Sequence, residues 1–139
     1  TQKQAVSKAF REAVRYDLYR AREKYISENK NEDGTIECAI SKERIQPEDA
    51  HMDHRPPMTF EVIVETFLKA RNLNYEDVKL SKGADNQTIP EIIDWSLEAH
   101  FKNYHAQTAK ISLVKASINL SQSAPNRIKK GQLHLGGWK

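Results

Sequence analysis

Two adjacent residues, Asp53 and His54, carry the side chains best suited to chemistry in this sequence. They end a short strand-like segment that begins at Ala50 and is stopped by Pro56-Pro57, because proline cannot donate to a strand ladder. A carboxylate and an imidazole at a strand end can hold a metal ion and activate water. Neighbours on a strand point to opposite faces, so the two side chains share one site only if the strand bends or ends between them. In a loop, such a pair more often forms ordinary hydrogen bonds and has no catalytic role.

A second polar residue of interest, Asn119, follows a brief apolar patch over residues 111–114. An asparagine in this position is usually a helix cap or a turn residue. Its interest comes from the combination with Asp53 and His54.

The order and spacing of these segments resemble those of the HNH endonucleases. The resemblance covers residues 35–123 and rests on Cys38-Ala39-Ile40-Ser41, Met52-Asp53-His54-Arg55-Pro56-Pro57, Phe101-Lys102-Asn103-Tyr104-His105 and the segment from Ala109 to Asn119. It implies an α+β fold with a ββα-metal core and a helical insert between the Asp-His strand and the closing asparagine. It also implies a metal-dependent endonuclease that hydrolyses phosphodiester bonds in DNA.

The resemblance assigns roles to residues by position. Asp53 corresponds to the metal-binding carboxylate, His54 to the general base, and Asn119 to the final metal ligand on the helix of the core. The implied cofactor is one hard divalent cation, Mg²⁺ or Mn²⁺. The middle asparagine of the family corresponds to Lys110, which cannot accept hydrogen bonds. We therefore expect His105 to orient the site loop instead, the alternative being a buried core histidine.

Departures from the family pattern keep a second interpretation open. Lys110 replaces the middle asparagine, Gln122 stands where lysine is common, and paired zinc cysteines are missing because Cys38 is the only cysteine. The alternative to an enzyme is a catalytically inactive HNH-like module that binds nucleic acid or a protein partner. The intact aspartate, histidine and closing asparagine favour the enzyme.

Basic residues are concentrated at both ends of the chain, whose net charge is +3. The clusters comprise Lys3, Lys8, Arg11, Arg15, Arg20, Arg22 and Lys24 near the beginning, and Arg127, Lys129, Lys130 and Lys139 in the tail. We expect Arg11, Arg15, Arg55 and Lys110 to contact double-stranded DNA, with an affinity that falls as salt rises. On charge alone, the alternative is a solvated helix face and an unstructured tail.

Hydrophobic spacing predicts the elements that position these residues. Apolar residues at intervals of three and four predict one amphipathic helix over most of residues 1–31, and a second helix starting after Thr59. A third helix is expected after the capping-box pattern Thr88 to Glu91, with Trp95 in the core. Two short strands predict a hairpin that holds Cys38 and Asp53, packed against a short helix near Asn119.

The 139 residues fit a single domain. It comprises an N-terminal helix (1–31), an HNH-like core (32–123) and a basic irregular tail (124–139). No apolar run approaches the roughly 20 residues that span a bilayer, and no signal-peptide pattern is present, so no membrane partner is expected. One cysteine excludes an internal disulfide and is compatible with an intracellular, cytoplasmic setting.

Overall fold

A computed structural model describes residues 1–81 and 89–116 of the chain. This part is mixed α+β, with four α-helices and two small antiparallel sheets, which confirms the α+β class. The elements are α1 (Gln2–Ala13), α2 (Arg15–Asn29), β1 (Ile36–Glu37), β2 (Arg44–Ile45), β3 (Ala50–His54), α3 (Phe60–Ala70), α4 (Trp95–Thr108) and β4 (Ile111–Lys115). Short 3-10 turns occur at Pro47–Asp49 and Tyr75–Asp77. The predictions for Asn119, Gln122 and the basic tail lie outside the described residues.

Contacts divide the chain into two compact units. The described part of the first unit comprises residues 1–15, 60–81 and 89–109, and that of the second comprises residues 16–59 and 110–116. The expectation of a single domain stays a prediction. None of the helices described in either unit is long and apolar enough to cross a membrane.

The first unit packs α1, α3 and α4 around a cluster of aromatic rings. Phe101 is fully buried at its centre, with ring-centroid distances of 4.3 Å to Phe10, 5.2 Å to Phe67 and 6.0 Å to Phe60. The rings meet in tilted and edge-on arrangements, which place the positive edge of one ring near the negative face of another. The predicted helix after Thr59 is confirmed as α3, which begins at Phe60.

The expected single N-terminal helix is wrong, because the chain forms two helices that are separated at Val14. The backbone of Val14 (φ −101°, ψ 4°) leaves the helical region there. The first helix buries Val6, Ala9 and Phe10, whereas the second buries only Ile26. The apolar stripe of the sequence therefore serves two different packing environments.

The start of α4 also differs from the expectation. Asp94 caps this helix, since its carboxylate accepts hydrogen bonds from the backbone N–H groups of Ser96 and Leu97 at 2.9 and 3.1 Å. The residues before Trp95 that the structure describes, 89–94, are not helical, and Ile92 forms a bridge with Leu80. Trp95 is 88% exposed, which corrects the prediction of a core position. It lies off the buried stripe that includes Leu97 and Phe101.

The second unit contains both sheets, and their pairing corrects the predicted hairpin. β1 pairs with β2, whereas β3 pairs with β4, far along the sequence. A short apolar–polar segment does not encode which segment it pairs with, so the nearest candidate was the wrong one. The buried core of this unit includes α2 and all four strands or their flanks: Ile26, Ile36, Cys38, Ile45, Ala50, Leu113 and Val114.

Candidate functional site

The antiparallel ladder of β3 and β4 positions the Asp53-His54 pair. Asp53 lies opposite Ser112 and His54 opposite Ile111. The strand pairing is regular through both residues, so strand alternation places Asp53 and Ser112 on one face and His54 and Ile111 on the other. The convergence of Asp53 and His54 on one site therefore stays a prediction.

The two histidines of β3 have different environments. His54 is 7% exposed, whereas His51 is exposed and lies opposite Val114 on the face of Asp53. The face of His54 also carries Met52 and the fully buried Leu113. His54 is therefore the buried histidine of this strand, and it is the last residue of β3.

Charged residues extend the face of Asp53 beyond the strand. The N–H of Arg55 donates to the carbonyl oxygen of Lys110 at 2.7 Å, so these two residues directly follow the last pair of the ladder, and the alternation continued by one position puts them on the face of Asp53. Asp53, Ser112 and Arg55 are partly exposed and Lys110 is exposed. One carboxylate, one hydroxyl and two cations therefore lie along one face of this ladder. The peptide bond between Pro56 and Pro57, just beyond Arg55, is cis.

The oxygen donors on this face fit a hard divalent cation. Mg²⁺ is usually held by one or two carboxylates and keeps several waters and substrate phosphate oxygens as its other ligands. The carboxylate of Asp53 supplies a donor of this type, and the predicted second ligand, Asn119, lies outside the described residues. In residues 1–81 and 89–116, no three His, Cys, Asp or Glu side chains are grouped to hold a metal ion.

The sequence did not predict a special environment for the thiol of Cys38. It is fully buried, and its Sγ accepts hydrogen bonds from the N–H groups of Ser41 and Lys115, both at 3.4 Å. Burial raises the pKa of the thiol, but hydrogen bonds from Ser41, Lys115 and Ile40 outweigh burial and lower this pKa to about 7. The Cys-x-x-Ser spacing could have indicated this contact, since it permits a turn in which the Ser41 N–H donates to the sulfur of Cys38.

His105 belongs to the core of the first unit. It is 4% exposed on α4, and its ring centroid lies 6.1 Å from that of Phe60 and 6.0 Å from that of Phe101. Burial among aromatic rings is the environment of a core histidine. Its expected task concerns a loop of the second unit, and that role stays a prediction.

The two N-terminal arginines predicted to bind DNA, Arg11 and Arg15, differ in their surroundings. Arg11 lines a groove of about 460 Å³ in the first unit, together with Lys3 and Lys8 of α1 and Glu61 of α3. Its guanidinium carbon lies 4.4 Å from the centroid of the Phe60 ring, in cation–π contact.

Arg15 is exposed and forms an ion pair with Glu12 at 3.0 Å. Of the two, Arg11 therefore lies in a concave basic surface, and Arg15 lies on an open one.

No family model, curated protein or solved structure matches this chain.

Proposed function

We propose that the chain is a metal-dependent endonuclease that hydrolyses phosphodiester bonds in DNA. On this proposal, β3, β4 and the helix predicted around Asn119 form a ββα-metal core of the HNH type. The observation that carries the proposal is the position of Asp53 near the end of β3, on the face of Arg55 and Lys110, with His54 as the last residue of the same strand. A carboxylate, an imidazole and two cations are groups that can support hydrolysis of a phosphodiester.

Each of these side chains has a distinct task in the proposed reaction. A divalent cation held by Asp53 and Asn119 would supply charge neutralisation at the phosphate and leaving oxygen. His54 accepts the proton of the attacking water at a ring nitrogen, and its burial keeps the imidazole fixed for that transfer. Arg55 and Lys110 bind phosphate oxygens and hold the DNA strand against the site.

The test is cleavage of supercoiled plasmid with Mg²⁺, Mn²⁺ or EDTA. We expect the wild-type protein to nick or cut only with a divalent cation. His54→Ala should lower the rate by on the order of 10²- to 10⁴-fold, the usual contribution of a general base. DNA binding, measured in EDTA, should stay near the wild-type value because the affinity comes from the basic residues.

His51→Ala is the matched control, because it removes an exposed imidazole from the same strand. It should cut at the wild-type rate. Thermal unfolding of both variants checks that each is folded, which matters for the buried His54. A folded His54→Ala variant that cuts plasmid at the wild-type rate excludes this histidine as the base.

A catalytically inactive module that binds nucleic acid is the second candidate. The regular ladder through Asp53 and His54 favours it, since alternation directs the two side chains to opposite faces. The basic groove of α1 also serves binding without catalysis. DNA binding by the wild-type protein without cleavage under either cation would select this candidate.

A further inference from the structure

Arg55 and Lys110 form an unusual pair in the β3–β4 ladder. The hydrogen bond between their backbones, 2.7 Å from N to O, sets the two residues directly opposite each other. Opposed residues in an antiparallel pair have Cα atoms about 4.5–5.5 Å apart and side chains on the same face. Two positive charges therefore stand side by side at the open end of the ladder.

Like charges placed directly opposite each other destabilise a strand pair. The protein does not relieve this repulsion by salt bridges, because neither residue belongs to any ion pair formed within residues 1–81 and 89–116. Asp53, the nearest acidic residue along this face, is one strand repeat away from Arg55. An unfavourable arrangement that local structure does not compensate is typical of a binding site.

We propose that Arg55 and Lys110 together clamp one backbone phosphate of bound DNA beside Asp53. The inference rests on the proposed function for its ligand, and it adds that the two cations share a single phosphate. A guanidinium can donate two parallel hydrogen bonds to phosphate oxygens, while an ammonium acts as a compact point charge. The guanidinium therefore fixes the orientation of the phosphate, and the ammonium holds the phosphate close to the face that carries Asp53, the proposed metal ligand.

The test is a salt titration of DNA binding by fluorescence anisotropy. The probe is a labelled duplex of mixed sequence, and EDTA is present so that neither cleavage nor a metal contributes. The proteins are the wild type, Arg55→Gln, Lys110→Gln and the double variant.

The matched controls are Arg44→Gln and Lys42→Gln, which remove the same charges from the β1–β2 hairpin of the same unit. Both control side chains are more than two-thirds exposed and form only exposed ion pairs. Such pairs contribute little to stability.

The shared phosphate predicts a specific pattern. Each single variant should weaken binding on the order of tenfold at low salt, as the loss of a charge-assisted hydrogen bond does. The slope of log K against log salt should fall by about 0.9 in the double variant, the value for one phosphate. The losses of the two single variants should not add, because both residues contact the same group. The controls should bind like the wild type.

The outcomes separate this inference from the proposed function. A slope that falls by about 1.8 with additive losses means two independent phosphate contacts, and this overturns the clamp. Wild-type binding by the double variant overturns it as well, whether or not the protein cuts plasmid. The predicted pattern in a protein that never cuts upholds the clamp and rejects the endonuclease.

Discussion

Replacing Cys38 with alanine tests the electrostatic environment of the buried thiol. Its hydrogen bonds, chiefly from Ser41, outweigh burial and lower the pKa from its ordinary value of 9.0 to about 7. The folded state therefore favours the thiolate more than the unfolded chain does. A pKa difference of this size corresponds to about 2–3 kcal/mol. Because the folded pKa is the lower one, this stability is fully present above pH 9 and is lost as the pH falls through about 7.

Urea unfolding at several pH values between about 6 and 9.5 measures this effect. The free energy of unfolding of the wild type, minus that of Cys38→Ala, should rise across this range by about 2–3 kcal/mol. A constant offset from the lost side-chain volume does not affect this slope. Ser41→Ala is the companion variant, and it should flatten the pH dependence, because the side-chain hydrogen bond of Ser41 is the largest of the contributions that lower the pKa of the thiol. Parallel pH profiles for the wild type and Cys38→Ala would refute the reasoning.

Two further predictions concern the first unit. Phe101→Ala should lower the free energy of unfolding by about 3–5 kcal/mol, because it empties the centre of the aromatic core, whereas Trp95→Ala at an 88% exposed position should change it by less than about 0.5 kcal/mol. Equal costs in urea unfolding would contradict the described packing. If His105 orients the catalytic loop, a folded His105→Ala variant should turn over plasmid tenfold more slowly or worse, about 1.4 kcal/mol of barrier. Wild-type turnover by this variant would mean that His105 is only a core residue.

The sequence predicted the helices that have a regular spacing of apolar residues. The apolar spacing after Thr59 predicted α3, and its apolar residues Phe60, Ile63, Val64, Phe67 and Leu68 are buried. Apolar residues at the same spacing, Leu97 and Phe101, are buried in α4. A repeat of three and four residues is contained within the helix itself, so the sequence alone can reveal it.

The strand pairing could not be predicted in the same way. β3 and β4 are separated by the whole of α3 and α4, so no turn signal links them. In β4, Leu113 and Val114 are adjacent and both buried, which removes the alternation by which a half-buried strand is identified. The exposure of Trp95 was missed for a related reason: its apolar character suggested burial, but its place at the first position of α4 lies off the packed stripe.

The placement of Asp53 and His54 on opposite faces is compatible with catalysis once the stereochemistry of phosphoryl transfer is considered. In an in-line displacement, the attacking water and the leaving oxygen lie on opposite sides of the phosphorus. On the proposed function, a phosphate at the end of the β3–β4 ladder would meet the carboxylate face on the side of the leaving oxygen, where Arg55 and Lys110 also lie. It would meet the imidazole on the side of the attacking water. On the proposed function, strand alternation thus separates the two tasks, and the strand end beyond His54 is where one phosphate can reach both.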